Sequence, residues 1–129
     1  MHKIKFRVYY EDTDAGNVMY YANYLKFAER ARTEWLREFG YEQSLLNVLF
    51  VVKNVEIEYF KPARLDDEVT VETQLQNIGR ASITMTQEFF ANKTRIALMK
   101  VVLVCVDRET IKPTALPQEI KDKIIKQKS

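Results

Sequence analysis

One segment of the chain repeats its apolar residues at helical spacing, and nearly everything downstream repeats them every second residue. Within Asn23–Phe39, Tyr24, Ala28, Ala31, Trp35 and Phe39 fall on one helical stripe, joined by Leu25 and Leu36. Lys26, Glu29, Arg30, Glu34 and Arg37 mark more polar directions. Gly40 supplies a C′ residue, and Asn23 stands where an N-cap would. Beyond the helix, Val55, Ile57 and Tyr59 alternate with Asn54, Glu56 and Glu58 as far as Pro62. Val69, Val71 and Leu75 alternate with Thr70, Glu72 and Gln74; Ile83, Met85 and Phe89 alternate with Ser82, Thr84, Thr86 and Glu88. Ile96–Val106 is apolar on both faces, which predicts a central, covered strand. Asn77-Ile78-Gly79 and Asn92-Lys93 are the turn candidates between these runs.

Upstream, Ile4–Tyr10 is rich in β-branched and aromatic residues and reads as a first strand, followed by loop chemistry over Glu11–Tyr20. Pro113 and Pro117 punctuate the tail, and Gln118–Lys126 reads as a short Lys-rich helix. One long helix against five strands is an α+β pattern with a mostly antiparallel sheet. A single helix covers one face of such a sheet. Part of the other face, or an edge strand, is therefore expected to pair with another subunit. The 129 residues suffice for one domain over 1–129, with a core over 4–107 and a tail over 108–129.

The chain holds one His and one Cys, and this restricts its chemistry. His2 lies at the terminus, and Cys105 has no internal disulfide partner. A metal site of His and Cys lacks its ligands, and a Ser-His-Asp or Cys-His unit would have to recruit His2. Chemistry is left to carboxylates, hydroxyls, lysines or backbone amides. A net charge of +2 with no basic stripe argues against a nucleic-acid binder. The longest apolar run, Val101–Val106, falls far short of the roughly 20 residues of a membrane span. The residues after Met1 show no apolar signal region, so a cytoplasmic protein is expected.

The densest polar cluster is Glu11-Asp12-Thr13-Asp14, followed by Ala15-Gly16-Asn17. As spacing alone stands, three readings are open. A solvated acidic turn is the plainest. A calcium loop would begin Asp12-x-Asp14-x-Gly16, but its sixth and twelfth places hold Asn17 and Asn23 instead of Gly and Glu. A catalytic loop is the third: it leads to the start of the long helix, where free N–H groups can stabilise an oxyanion and a nearby carboxylate can act as base or nucleophile. Gly16 would let a ligand approach the backbone closely.

Arg7-Val8-Tyr9-Tyr10-Glu11-Asp12-Thr13-Asp14-Ala15-Gly16, then Val18, Tyr20–Leu25 and Phe27–Arg32, closely resemble the hotdog-fold acyl-CoA thioesterases. The resemblance is to the 4-hydroxybenzoyl-CoA thioesterase family and its YbgC-like branch, and it runs on through Tyr59-Phe60-Lys61-Pro62-Ala63 to about Val106. It implies a hotdog: an antiparallel five-stranded sheet wrapped around one long helix, with a short C-terminal helix. It also implies an acyl-CoA thioester hydrolase whose subunits pair as a dimer or a tetramer of dimers, with sites at the dimer interface. Asp14 matches the family's catalytic aspartate, and Tyr21 the position whose backbone N–H polarises the thioester carbonyl. No metal or redox cofactor is implied, coenzyme A being part of the substrate. This chain has Tyr21 where many YbgC-like proteins carry His, and Asn17 where a small or apolar residue usually follows Gly16. A hotdog binding subunit for acyl-CoA or an acyl carrier protein, without turnover, is the alternative.

Tyr24, Tyr59 and Phe60 are placed to shape an acyl pocket, and Lys53, Lys61, Arg64, Arg80, Lys93 and Arg95 are candidates for the CoA phosphates. Glu29 and Glu34 read as surface partners of Arg30 and Arg32, with Arg30 spaced i,i+4 from Glu34. Cys105 reads as packed core, and Lys121, Lys123, Lys126 and Lys128 as a solvated end.

Overall fold

Hydrophobic alternation and one helical stripe build the expected two layers. The computed structural model describes residues 1–41 and 47–128. Strand β1 spans His2–Arg7, a 3-10 turn Tyr10–Asp12, helix α1 Tyr21–Glu38, β2 Val48–Tyr59, β3 Glu68–Ile78, β4 Ser82–Ala91, β5 Thr94–Asp107 and helix α2 Gln118–Lys128. The strands form one antiparallel sheet in the order β1-β3-β4-β5-β2. This is the α+β architecture implied above: five antiparallel strands around one long helix, with a short C-terminal helix.

α1 lies on the sheet's inner face. It buries Tyr24, Phe27, Ala28, Ala31, Trp35 and Leu36, and Phe27 stacks on Phe6 of β1 at 4.9 Å. The opposing residues, Val69, Val71 and Leu75 of β3 and Ile83, Met85 and Phe89 of β4, are buried too. Each large apolar side chain removed from water is worth about 1.5–3 kcal/mol, so this seam outweighs any single polar contact in the fold. α1 ends in a Schellman motif. Gly40 takes φ 86°, its N–H donates to Arg37 O (3.1 Å), and Tyr41 N–H reaches back to Leu36 O (3.2 Å). At the β4–β5 hairpin Asn92 and Lys93 both have positive φ (52° and 66°), the geometry of a two-residue type I′ turn.

Several boundaries differ from the sequence expectation. β1 stops at Arg7, because Tyr9 N–H turns to the Asp12 carboxylate (2.9 Å). α1 begins at Tyr21 with Tyr20 as N-cap residue, so Asn23 is not the cap; its side chain is drawn to Asp12 instead. β2 begins at Val48, well before Val55, and carries a register shift between Val52 and Asn54. The first half, Val48–Val52, is apolar at every position, so no period of two marks it. β5 is central, being paired on both sides, but its second apolar face is half-buried rather than covered: Leu98, Val102 and Val104 point away from α1.

The tail after β5 folds back. Thr114 N–H donates to Cys105 O (3.0 Å), Leu116 N–H to Arg80 O (2.8 Å), and Leu116, Ile120 and Ile124 join the hydrophobic core. The charged side of α2 stays in water, with Lys123 paired to Glu119 (3.9 Å). No helix among the described residues is long and apolar enough to cross a membrane.

Candidate active site

The acids of the loop before α1 divide by burial. Asp12 is 5% exposed; its Oδ2 accepts the Tyr9 N–H (2.9 Å) and its Oδ1 the Asn23 side-chain N–H (3.4 Å). Its carbonyl accepts from Tyr20 N–H (2.9 Å) and from Asn23 (2.8 Å). Asp12 thus ties the loop to the first turn of α1. Asp14 is exposed. Its N–H donates to Val18 O (3.0 Å) and its carbonyl accepts from Asn17 N–H (3.0 Å), which closes a tight turn at the loop tip. Asn17 sits there at φ 60°, a left-handed conformation that Asn tolerates. Asp14 Oδ1 accepts the Gly16 N–H (2.8 Å), and a Cβ on Gly16 would stand 3.4 Å from that oxygen. Asp14 Oδ2 has no hydrogen-bond partner among the described residues. Glu11 is exposed as well, and no three acidic, His or Cys side chains among the described residues cluster to hold a metal ion.

α1 has no side-chain cap. Asn23 N–H turns back to Tyr20 O (2.9 Å), while no acceptor among the described residues takes the N–H of Tyr21 or Ala22. Two donors and the positive end of the helix dipole therefore stand open, and the first turn carries no acid to offset them.

An aromatic relay frames this helix end. Tyr21, 64% exposed, lies against Tyr59 of β2 (centroids 4.6 Å), whose hydroxyl donates to the Tyr21 carbonyl (3.4 Å). Tyr59 meets Tyr24 edge-on (5.0 Å), and Tyr24 leans on Phe89 (5.4 Å). Tyr24 is 1% exposed, so its ring stands behind Tyr59, and its hydroxyl accepts the Ala63 N–H (3.3 Å). Burial pushes both the Tyr24 and Tyr59 phenols above their ordinary value of 10.0, so both stay protonated at neutral pH. The Phe60–Leu65 segment braces the acidic loop. Met19 N–H donates to Ala63 O (2.7 Å), Leu65 N–H to Asn17 O (3.1 Å), and Val18 pairs with Arg64. The two sequence blocks that carry the family resemblance thus meet at one place.

Other candidates fall elsewhere. His2 sits at the far end of β1 from the loop, about 17 Å along the strand from Arg7, with Nε2 3.5 Å from Glu38. Glu34 pairs with Arg37 (2.6 Å) rather than Arg30, and Arg32 turns into the core rather than to the surface acids. Cys105 is packed core, its thiol pushed up to about 11 by burial. Of the six basic candidates, Lys61, Arg64, Lys93 and Arg95 share the sheet end where Tyr59 pairs with Ala97; Arg95 stacks over the Phe60 ring (4.8 Å) and pairs with Glu88 (3.3 Å). Arg80 lies at the opposite end of β4, and Lys53 at the β2 bulge. Sequence reading did not separate Asp12 from Asp14 in burial. The signal available was Asn23, a polar residue on an otherwise apolar first turn.

Comparison with known proteins gives a consistent picture. Residues 8–124 match the thioesterase-like superfamily. Over 118 residues the chain is 46% identical to an acyl-CoA thioester hydrolase, YbgC, of Escherichia coli O6:H1, covering 88% of each chain. It is 44% identical to the acyl-CoA thioesterase YbgC of Haemophilus influenzae, covering 89% of this chain and 88% of that one. Among solved structures, a probable thioesterase from Bartonella henselae superposes with a TM-score of 0.85 at 34% identity, covering 90% of this chain and 98% of the other.

Proposed function

The chain belongs to the thioesterase-like superfamily, in its YbgC-like branch, and on that premise we propose that it hydrolyses acyl-CoA thioesters to a carboxylic acid and free CoA. One observation carries the assignment of the chemistry. A carboxylate with a free oxygen, Asp14, stands in the loop that leads to an uncapped helix end. The thioester carbonyl oxygen accepts from the N–H groups of Tyr21 and Ala22, which hold the oxyanion as the carbonyl carbon becomes tetrahedral; one such donor is typically worth about 2.7–4 kcal/mol. Asp14 either takes a proton from the attacking water or bonds to the carbonyl carbon itself, giving a mixed anhydride that water then splits. In both routes the C–S bond breaks and CoA leaves as thiolate. The Gly16 N–H holds Asp14 Oδ1 and leaves the second oxygen for this work. Tyr59 and the exposed ring of Tyr21 form the acyl-facing wall, backed by Tyr24. Nothing in this scheme calls for a metal or redox cofactor, and the enzyme is read as cytoplasmic.

A thiol-release assay across acyl-CoA chain lengths and aromatic acyl groups tests the reading. Steady turnover of at least one class is expected. Tight acyl-CoA binding with no thiol release from any of them would favour the second reading, a binding subunit for acyl-CoA or acyl carrier protein, for which the exposed Tyr21 ring offers contact area.

The working unit is proposed to be a dimer or a tetramer of dimers. β2 is a 12-residue edge strand with one free side; Val51, Val52 and Tyr59 on it, and Phe60 just beyond its end, leave large apolar surfaces in water. Such an edge is a template for pairing with a second copy. Light scattering at micromolar concentration is expected to give at least twice the chain mass; a monomer would contradict this.

A further inference from the structure

The interior of the sheet carries one polar cluster where its pattern calls for apolar residues. On β4 the inward residues run Ile83, Met85, Gln87, Phe89, Ala91, and on β3 they run Val69, Val71, Thr73, Leu75. Gln87 and Thr73 are both 0% exposed. Burying a carboxamide is costly unless its groups are satisfied, and here they are. Gln87 Oε1 accepts from Arg32 Nη1 (3.1 Å), while its Nε2 donates to the Ala28 carbonyl of α1 (3.0 Å) and to Thr73 Oγ1 (3.1 Å).

Arg32 fixes which way the carboxamide points. A guanidinium only donates, so the Gln87 oxygen must face it, and the NH2 group is thereby turned to Ala28. Arg32 is itself 8% exposed, and no carboxylate among the described residues lies within 4 Å of it. Burial disfavours its charge, and Glu29 offsets this in part. A cation held by a neutral amide in the core is a poor source of stability, since an apolar pair of like volume often does better. What the arrangement does supply is a fixed register between helix and sheet. Ring stacking and aliphatic contact resist sliding weakly, whereas a hydrogen bond to a helix carbonyl names one turn.

Among the hydrogen bonds of the described residues, two side chains of the sheet reach the α1 backbone: Tyr59 at the Tyr21 carbonyl, and Gln87 at that of Ala28. They are seven residues apart, about 10 Å along the axis. Tyr59 is 40% exposed and its bond is long (3.4 Å), so the buried bond is the firmer one. We propose that Gln87, oriented by Arg32, is a positioning residue for the hydrolytic site: it sets the axial position of α1 and hence where the free Tyr21 and Ala22 amides stand relative to Asp14. This rests on the oxyanion reading above. Gln87 touches no substrate and acts through the helix.

The test is steady-state kinetics on Gln87→Met and Gln87→Glu, with thermal melts and a count of folded protein. Q87M keeps the side-chain length and removes all three bonds. Q87E still accepts from Arg32, but it loses both bonds that the Gln87 NH2 group donates, to Ala28 and to Thr73. Both are expected to lower kcat at least tenfold per folded molecule, with KM within about twofold, because the amides matter most as charge develops on the oxygen. Q87E serves if Q87M does not fold. A purely structural role would lower the melting temperature and leave kcat per folded molecule unchanged, which overturns the proposal; so would full activity in Q87E. Asp14→Asn in the same assay separates the two claims. Full activity in folded Q87M or Q87E beside an inactive D14N defeats the positioning alone, whereas an active D14N defeats the hydrolytic reading on which it rests.

Discussion

Asp14→Asn is expected to abolish most acyl-CoA hydrolysis, lowering kcat by at least about 10²-fold, the lower end of what a general base contributes. The substitution is nearly isosteric. Its side-chain oxygen can still accept the Gly16 N–H, so the turn at the loop tip keeps its shape. Asp14 is exposed and its second oxygen bonds to nothing in the described chain, so stability should change by no more than about 0.5 kcal/mol, as for ordinary surface changes. KM should stay within a few fold. A loss of rate without loss of fold or affinity is the signature sought in kinetics, circular dichroism and acyl-CoA titration. Equal losses in kcat and in thermal stability would instead make Asp14 a structural residue.

Asp12→Ala should show the reverse order of effects. Asp12 is 5% exposed, and its carboxylate is the acceptor for Tyr9 N–H and a second acceptor for the Asn23 amide. Hydrogen bonds to a charged group contribute about 1.5–3 kcal/mol, and removing the acceptor leaves the part-buried Tyr9 N–H unpaired, while Asn23 keeps its bond to the Asp12 carbonyl. A loss of about 3 kcal/mol is expected. At roughly 4 °C per kcal/mol for a chain of this size, the melting temperature should fall by about 12 °C. Activity should fall as well, because the loop and the start of α1 both hang on this residue. Asp12→Asn keeps an acceptor and should lose less. An unchanged melting temperature in D12A would show that the loop is held by its backbone bonds alone.

These two residues, two positions apart in the same acidic run, mark where sequence reading stops. The α1 stripe and the alternation in β3 and β4 were legible because burial on one face enforces a period. The first half of β2 was not, since Val48–Val52 is apolar throughout and carries no alternation. Spacing alone left the acidic cluster open among solvent, calcium and catalysis. The family resemblance pointed to Asp14, but no pattern announced that Asp12 would turn inward. Asn23 reads as a cap because caps are local; the contact it makes spans 11 residues. Gln87 carries a signal of its own. It falls on the inward phase of β4 between Met85 and Phe89, where a polar residue must be satisfied by something across the core. What it meets, Arg32 and Ala28 of α1, depends on how a helix settles on a sheet and lies beyond periodicity.

The most direct test of the central claim is a crystal structure with a non-hydrolysable acyl-CoA thioether or ketone analogue. The carbonyl oxygen of a bound ketone analogue is expected within about 2.7–3.1 Å of the Tyr21 or Ala22 nitrogen, with Asp14 Oδ2 facing the carbonyl carbon directly or through one water. An analogue whose carbonyl lies away from the start of α1, for instance in the cavity of about 230 Å³ beside Trp35, Phe39 and Ile124, would contradict the account.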